Sequence, residues 1–185
     1  VYARELVELE NFDDIQSIAK EISHREIRLF LGEGSNILFT KNFDGIVLKS
    51  TDTNIEIIEE DSNSVLISAG AGLNWDFFVE YTIKNGWFGL ENLSLIPGSV
   101  GSSPVQNIGA YGIEACDFIE EVFFYDFHER KAGSVLRNNC SFGYRSSIFK
   151  LKRSYFIYKV NFRLNKSHHV NIEYAALSKY LSEKG

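Results

Sequence analysis

A chain of 185 residues is long enough to bury a sizeable core and fits one or two domains. Its 44% hydrophobic and 24% charged residues suit a globular protein, and no apolar run is long enough to cross a bilayer. The net charge of −6 argues against a general nucleic-acid binder, yet it leaves room for an anionic small ligand, because backbone dipoles hold phosphate without many lysines. Glu5–Leu9 alternates like a short strand. Asn11–Ile22 places Phe12, Ile15, Ile18, Ala19 and Ile22 at helical spacing, with Asp13 and Asp14 near its start. Ile27–Leu31 reads as a compact apolar strand that runs into Gly32-Glu33-Gly34-Ser35-Asn36 and out through the β-prone Ile37–Phe39. Asp44-Gly45 marks a tight turn before a strand at Ile46–Leu48. This first unit, to about Ser50, reads β-α-β-β.

A second unit opens with strands at Asn54–Glu59 and Ser64–Ala69. Asn74 is placed to cap a helix over Trp75–Lys84, and Gly86 stands where a helix end takes a left-handed residue. After a long glycine loop come strands near Glu120–Phe127, a turn at His128–Arg130, and strands at Ser134–Leu136 and Ser154–Leu164. Tyr174–Ser182 reads as a helix.

Leu90–Gly112 carries both prolines of the chain, Pro97 and Pro104, four glycines, and Gln106, Asn107 and Tyr111. So many small residues allow close approach of the backbone to a ligand and present peptide N–H groups to something anionic. The alternative is a plain surface loop. Gly32–Asn36 likewise reads either as a hairpin turn or as an anion-holding bend. Neither glycine cluster is a dinucleotide fingerprint. Gly32-Glu33-Gly34 runs into β-prone residues rather than a helix, and Gly70-Ala71-Gly72 opens a helix with Trp75 where a third glycine is needed. Phe142-Gly143-Tyr144-Arg145 offers a planar guanidinium to a carboxylate or enolate, or else a surface ion pair. Cys116 and Cys140 lack metal-ligand spacing and read as free buried thiols in a reducing compartment. His24, His128, His168 and His169 form no ligand constellation, so no metal site is expected.

Three segments carry a resemblance: LGEGSNILF at Leu31–Phe39, LENLSLIPGSVGSSPVQNIGAYG at Leu90–Gly112 and CSFGYRSSIFK at Cys140–Lys150. In this order they resemble the type I UDP-N-acetylenolpyruvoylglucosamine reductase family of bacterial cell-wall synthesis. The resemblance implies an α+β FAD-binding fold of the vanillyl-alcohol-oxidase/PCMH type, with two small mixed subdomains at 1–50 and 51–185. It implies FAD as cofactor, held by Gly32, Gly34, Ser35, Asn36, Pro97, Gly98, Gly101, Ser102, Ser103, Asn107, Gly109 and Ala110. It further implies Arg145 as the catalytic residue that stabilises the enol form of the substrate, and Tyr144 and Tyr174 as substrate contacts. Ala175 follows Tyr174 where the family commonly has glycine.

The implied reaction uses NADPH to reduce FAD, whose hydride then goes to C3 of UDP-N-acetylglucosamine enolpyruvate. The implied setting is a cytoplasmic monomer in peptidoglycan precursor synthesis, with no nucleic-acid or membrane partner. The chain contains no Met and stops at Gly185 after a helical pattern, so we expect a piece of a longer polypeptide with its substrate domain C-terminal to 185. The family's proton-donating serine, in a Gly-Ser-Phe-Phe motif, and its assisting terminal glutamate have no counterpart here. The expectation is a part that binds FAD without turnover. Two alternatives stand beside it: an FAD-dependent oxidase or dehydrogenase of the wider superfamily, and a non-catalytic module with the flavin fold.

Overall fold

The computed structural model describes residues 1–23, 26, 28–167, 179 and 182. Strand β1 (Ala3–Leu9) leads into helix α1 (Phe12–Glu21), followed by β2 (Arg28–Phe30) and β3 (Phe43–Ser50). These strands form a sheet in the order β1-β3-β2, with β3 parallel to both neighbours. Helix α1 starts at Asn11, whose side-chain oxygen accepts the Asp14 N–H at 3.0 Å while the Asp14 carboxylate accepts the Asn11 N–H at 3.2 Å. Such a reciprocal cap stabilises a helix by about 1 kcal/mol.

The larger sheet is antiparallel. Strands β4 (Ile55–Glu60) and β5 (Ser64–Gly70) are followed by helix α2 (Trp75–Lys84). Then come the two-residue strands β6 (Gly109–Ala110) and β7 (Ile113–Glu114), β8 (Ile119–Asp126), β9 (Lys131–Leu136), the short helix α3 (Ile148–Leu151) and β10 (Tyr155–Asn165). The sheet order is β4-β5-β10-β8-β9, so the last strand in sequence lies in the middle. Asn74 caps α2 by accepting the Phe77 N–H at 3.0 Å, and Gly86 follows the helix at φ +74°.

Two apolar clusters hold these layers. Under α2, Trp75 and Phe78 pack on Phe162 of β10, with ring centroids 6.0 and 5.0 Å from it. Val65, Ile67, Val122 and Val160 extend this core across the sheet. Fully burying each such side chain contributes roughly 1.5–3 kcal/mol. In the second cluster, Leu9, Ile15, Ala19, Ile46 and Leu48 of the small sheet and α1 meet Tyr125 and Phe156 of the large sheet and Phe127 just after β8. Phe30 sits between Phe127 and Phe156 at 5.5 and 5.2 Å. The carboxyl end of β2 is thereby fixed against the start of β10.

Two local expectations are corrected. Ile37–Phe39 is not a strand, and Asp44-Gly45 is not a turn but lies within β3. Both follow from strand direction: β2 and β3 are parallel, so the chain between them must cross back along the sheet and cannot close as a hairpin. Asp44-Gly45 falls at an irregularity in the ladder, where two steps along β1 (Ala3 to Glu5) face three along β3 (Phe43 to Ile46), the signature of a bulge. The expected helix over Tyr174–Ser182 falls largely outside the described residues, as does Tyr174 itself.

Candidate functional site

The parallel sheet delivers the chain from the carboxyl end of β2 directly into the bend Gly32–Ile37, the position where open α/β sheets bind ligands. A second bend, Ile96–Ser102, descends from α2 and lies across from the first. The Ser35 hydroxyl donates to the Pro97 carbonyl at 3.1 Å, so the two bends touch. Their closeness depends on missing side chains. A Cβ on Gly32 would stand 3.0 Å from Ser99 Oγ and 3.4 Å from Ser102 Cβ. A Cβ on Gly101 would stand 2.5 Å from the Ala71 Cβ, well inside ordinary contact. The Gly101 N–H donates to the Ala71 carbonyl at 2.9 Å and the Val100 N–H to the Leu73 carbonyl at 2.8 Å, which ties this bend to the start of α2.

The bends share a cavity of about 520 Å³, lined by Gly32, Gly34, Ser35, Asn36, Pro97, Ser102 and Arg145 among others. A smaller cavity of about 190 Å³ shares Gly32 and Ser102 with it and adds Lys49, Gly101, Tyr155 and Ile157. The two form one cleft with the glycine bends across its middle. The backbone N–H groups of Gly32, Glu33, Gly34, Ser35 and Asn36 donate to no partner among the described residues. Five successive free donors in one bend make a concave anion-binding surface. A large anion with planar groups at either end, such as a dinucleotide, fits this donor set. Lys49 and Arg145 contribute cations and Glu33 one carboxylate; neither cation makes an ion pair among the described residues.

Arg145 is held from several sides. Gly143 and Ser146 exchange backbone hydrogen bonds at 3.1 and 3.0 Å, which puts Tyr144 and Arg145 at the tip of a tight turn with Arg145 at φ +51°. Arg145 Nη2 donates to the Gly109 carbonyl at 3.1 Å, and Lys150 Nζ donates to the Arg145 carbonyl at 2.9 Å. Below the turn, the buried Ser147 hydroxyl donates to the Val105 carbonyl at 2.8 Å.

The remaining expected site residues fall in different places. Gly98 is buried between the bends. Ser103 is fully buried and its hydroxyl donates to the Val100 carbonyl at 2.8 Å. Asn107 is also fully buried. Gly109 and Ala110 form β6, beside the Arg145 side chain. Tyr144 is 87% exposed at the tip of its turn. Phe30, Glu33, Lys49 and Tyr155 line the cleft without having been singled out, and Gln106, noted in the glycine loop, lines it as well. Position at a strand end was the signal available for Lys49 and Tyr155, but only sheet topology turns that into proximity. The two thiols lie apart from the cleft lining. Cys140 is buried and its thiol is pushed up to about 12, by burial first and by neighbouring Cys116 second.

A family model for the FAD binding domain matches residues 3–126. The UDP-N-acetylenolpyruvoylglucosamine reductase of Dechloromonas aromatica is 42% identical over 165 residues, 86% of this chain and 49% of that protein. The reductase of the same name from Porphyromonas gingivalis is 41% identical over 174 residues, 92% of this chain and 52% of that protein. The chain thus spans about half the length of the curated relatives it matches. Among solved structures, UDP-N-acetylenolpyruvylglucosamine reductase (MurB) from Thermus caldophilus superposes with a TM-score of 0.72 at 21% identity, covering 97% of this chain and 61% of that one. Cholesterol oxidase from Brevibacterium sterolicum gives 0.61 at 13% identity, over 86% and 34% of the two chains. p-Cresol methylhydroxylase gives 0.56 at 16% identity, over 86% and 35%. These structures share the α+β fold.

Proposed function

This chain belongs to the FAD binding domain family, and from that premise we propose that it is the cofactor-holding part of a UDP-N-acetylenolpyruvoylglucosamine reductase. Its cofactor is FAD. The reaction would convert UDP-N-acetylglucosamine enolpyruvate to UDP-N-acetylmuramate in the bacterial cytoplasm, with NADPH as reductant, for peptidoglycan synthesis. The reductase relatives at 41–42% identity favour this reading over an oxidase or dehydrogenase of the wider superfamily, since cholesterol oxidase and p-cresol methylhydroxylase match at 13% and 16% and share the fold alone.

The observation that carries the proposal is the convergence of the two bends on one cleft whose wall also includes Arg145. The free N–H groups of Gly32–Asn36 would hold the diphosphate, with Pro97, Gly98, Gly101 and Ser102 closing over it from the other side. We take residues 1–50 and 51–185 as the two subdomains that supply these walls. When bound, FAD would supply the chemistry of hydride transfer between NADPH and C3 of the enolpyruvyl group.

Arg145 then has a defined task. Hydride arrival at C3 places negative charge on C2 and, by conjugation, on the adjoining carboxylate. A guanidinium pre-set at φ +51° and fixed to the Gly109 carbonyl is already oriented when that charge develops, so no reorganisation cost falls on the reaction step. Tyr144, beside it at the tip of the turn, would face the substrate, and Tyr174 would add a further contact. The proton required at C2 must come from a general acid. The resemblance assigns that acid to a serine motif that these residues lack, so this chain alone would load FAD without turnover; we take it, separately, to act as a monomer.

The test is direct. Purified chain is mixed with FAD and desalted, and absorbance near the flavin bands is read alongside a riboflavin control. Retention of FAD but not riboflavin is the expected result, because the diphosphate is what the bends grip. A protein that stays colourless refutes the proposal.

A further inference from the structure

We propose that Asn107 is a positioning residue: it fixes the turn that carries Arg145, and acts on the site through that arginine rather than by touching a ligand. The inference rests on the functional reading above and deepens it.

Asn107 has no exposed surface. Its side-chain amide is fully engaged within the protein. Nδ2 donates to Glu114 Oε2 at 2.8 Å and to the Gly143 carbonyl at 3.4 Å, while Oδ1 accepts the Cys116 N–H at 3.0 Å. One side chain thus joins the β6–β7 hairpin, the turn after it, and the Gly143–Ser146 turn. The Gly143 carbonyl lies two residues from Arg145, and the Arg145 guanidinium returns to Gly109, two residues from Asn107. These two hydrogen bonds close a ring of contacts whose members are Asn107, Gly109, Gly143 and Arg145.

The backbone around this ring is unusual in a consistent way. Asn107, Tyr111, Ser141 and Arg145 all adopt left-handed conformations, at φ +43°, +51°, +50° and +51°. Non-glycine residues visit this region rarely, and strain gathered in one place persists only where surrounding contacts enforce it. Asparagine is among the side chains that tolerate it best, and only an amide both donates to Glu114 and Gly143 and accepts from Cys116. Glycine matches the backbone at this position but none of the hydrogen bonds.

The test measures the midpoint potential of FAD bound to this chain, by anaerobic dye equilibration, for wild type, Arg145→Gln, Asn107→Gly, Asn107→Ser and the double variant N107G/R145Q. A cation near the flavin favours the anionic reduced form of that cofactor, so R145Q is expected to shift the potential to more negative values. N107G keeps the left-handed backbone and the net charge. It is expected to shift the potential in the same direction by at least half the R145Q shift, and N107S to do likewise. The double variant is expected to shift no further than R145Q alone, because both changes remove one effect. A wild-type potential in N107G and N107S overturns the inference, as does an additive double variant. Unfolding of both Asn107 single variants overturns it too, since Asn107 would then serve the fold rather than Arg145. Failure of the wild type to take up FAD is a separate result, and it overturns the functional reading together with this inference.

Discussion

Replacing Gly101 by alanine tests the claim that missing side chains let the two bends meet. The new Cβ would fall 2.5 Å from the Ala71 Cβ and 3.1 Å from both the Ala71 Cα and carbonyl oxygen. Carbon atoms are comfortable at about 3.5–4.0 Å, so the overlap exceeds what a side-chain rotation relieves. Neither partner yields cheaply, since Ala71 is 4% exposed and the Gly101 N–H is bonded to the same residue's carbonyl at 2.9 Å. Forced overpacking of this kind costs about 1–3 kcal/mol. At about 2 kcal/mol, a domain of this length loses roughly 4–8 °C in Tm. Urea titration of G101A, Ala71→Gly and the double variant supplies the decisive comparison. Removing the Ala71 methyl makes room for the new one, so the double variant is expected to be more stable than the sum of the singles by at least about 1 kcal/mol. A cost for G101A below about 0.5 kcal/mol, or strict additivity, refutes the packing argument.

Other expectations follow from single contacts. Ser35→Ala removes the hydroxyl that links the two bends and is expected to weaken FAD binding by roughly 2- to 12-fold, measured by flavin fluorescence, as befits one net hydrogen bond. An unchanged affinity would detach that contact from the site. Asp76 accepts the Leu95 N–H at 2.6 Å and the Ser94 hydroxyl at 2.8 Å, which hold its carboxyl below the usual carboxylate range, the backbone contact first. Its contribution is therefore present above a pH of about 4 and lost as the pH falls through the lower folded value. Acid titration of stability should be shallower in Asp76→Asn than in wild type, and parallel curves would contradict this. The Cys140 thiol, at about 12, holds almost no thiolate at pH 8. Alkylation of Cys140 by iodoacetamide should track global unfolding in urea, and rapid labelling of the native protein would show the burial to be wrong.

Much of this fold was legible because local signals agreed with one another. Apolar spacing after Asn11 and the cap at Asn74 announced two helices, and Trp75–Lys84 matches α2 from end to end. Alternation in Ser154–Leu164 marked β10 to within a residue. Strand direction was not legible. Nothing in Ile27–Leu31 says that its neighbour runs parallel, so Gly32–Asn36 could read as a hairpin turn into Ile37–Phe39, and Asp44-Gly45 as a separate tight turn. Sheet order was equally hidden, because β10 pairs with residues far away in sequence. The same division holds at the site. Glycine density exposed both bends, and Arg145 stood out as a cation beside Gly143 and Tyr144, all of them local features. Lys49 and Tyr155 reach the cleft only through topology. Asn107 drew notice for its residue type, but its bond to the Gly143 carbonyl, 36 positions along the chain, depends on long-range folding.

The place of β10 bears on how the protein is made. Synthesis proceeds from the amino end, yet the large sheet has no centre until residue 165 has left the ribosome. Until then the β4–β5 and β8–β9 hairpins wait as two separate halves, each with an apolar face and an open edge toward the missing strand. Such waiting intermediates are the species that chaperones recognise and that aggregate when translation stalls. Nascent chains halted before Tyr155 should therefore engage holdases, whereas release past Asn165 should free them in a single cooperative step.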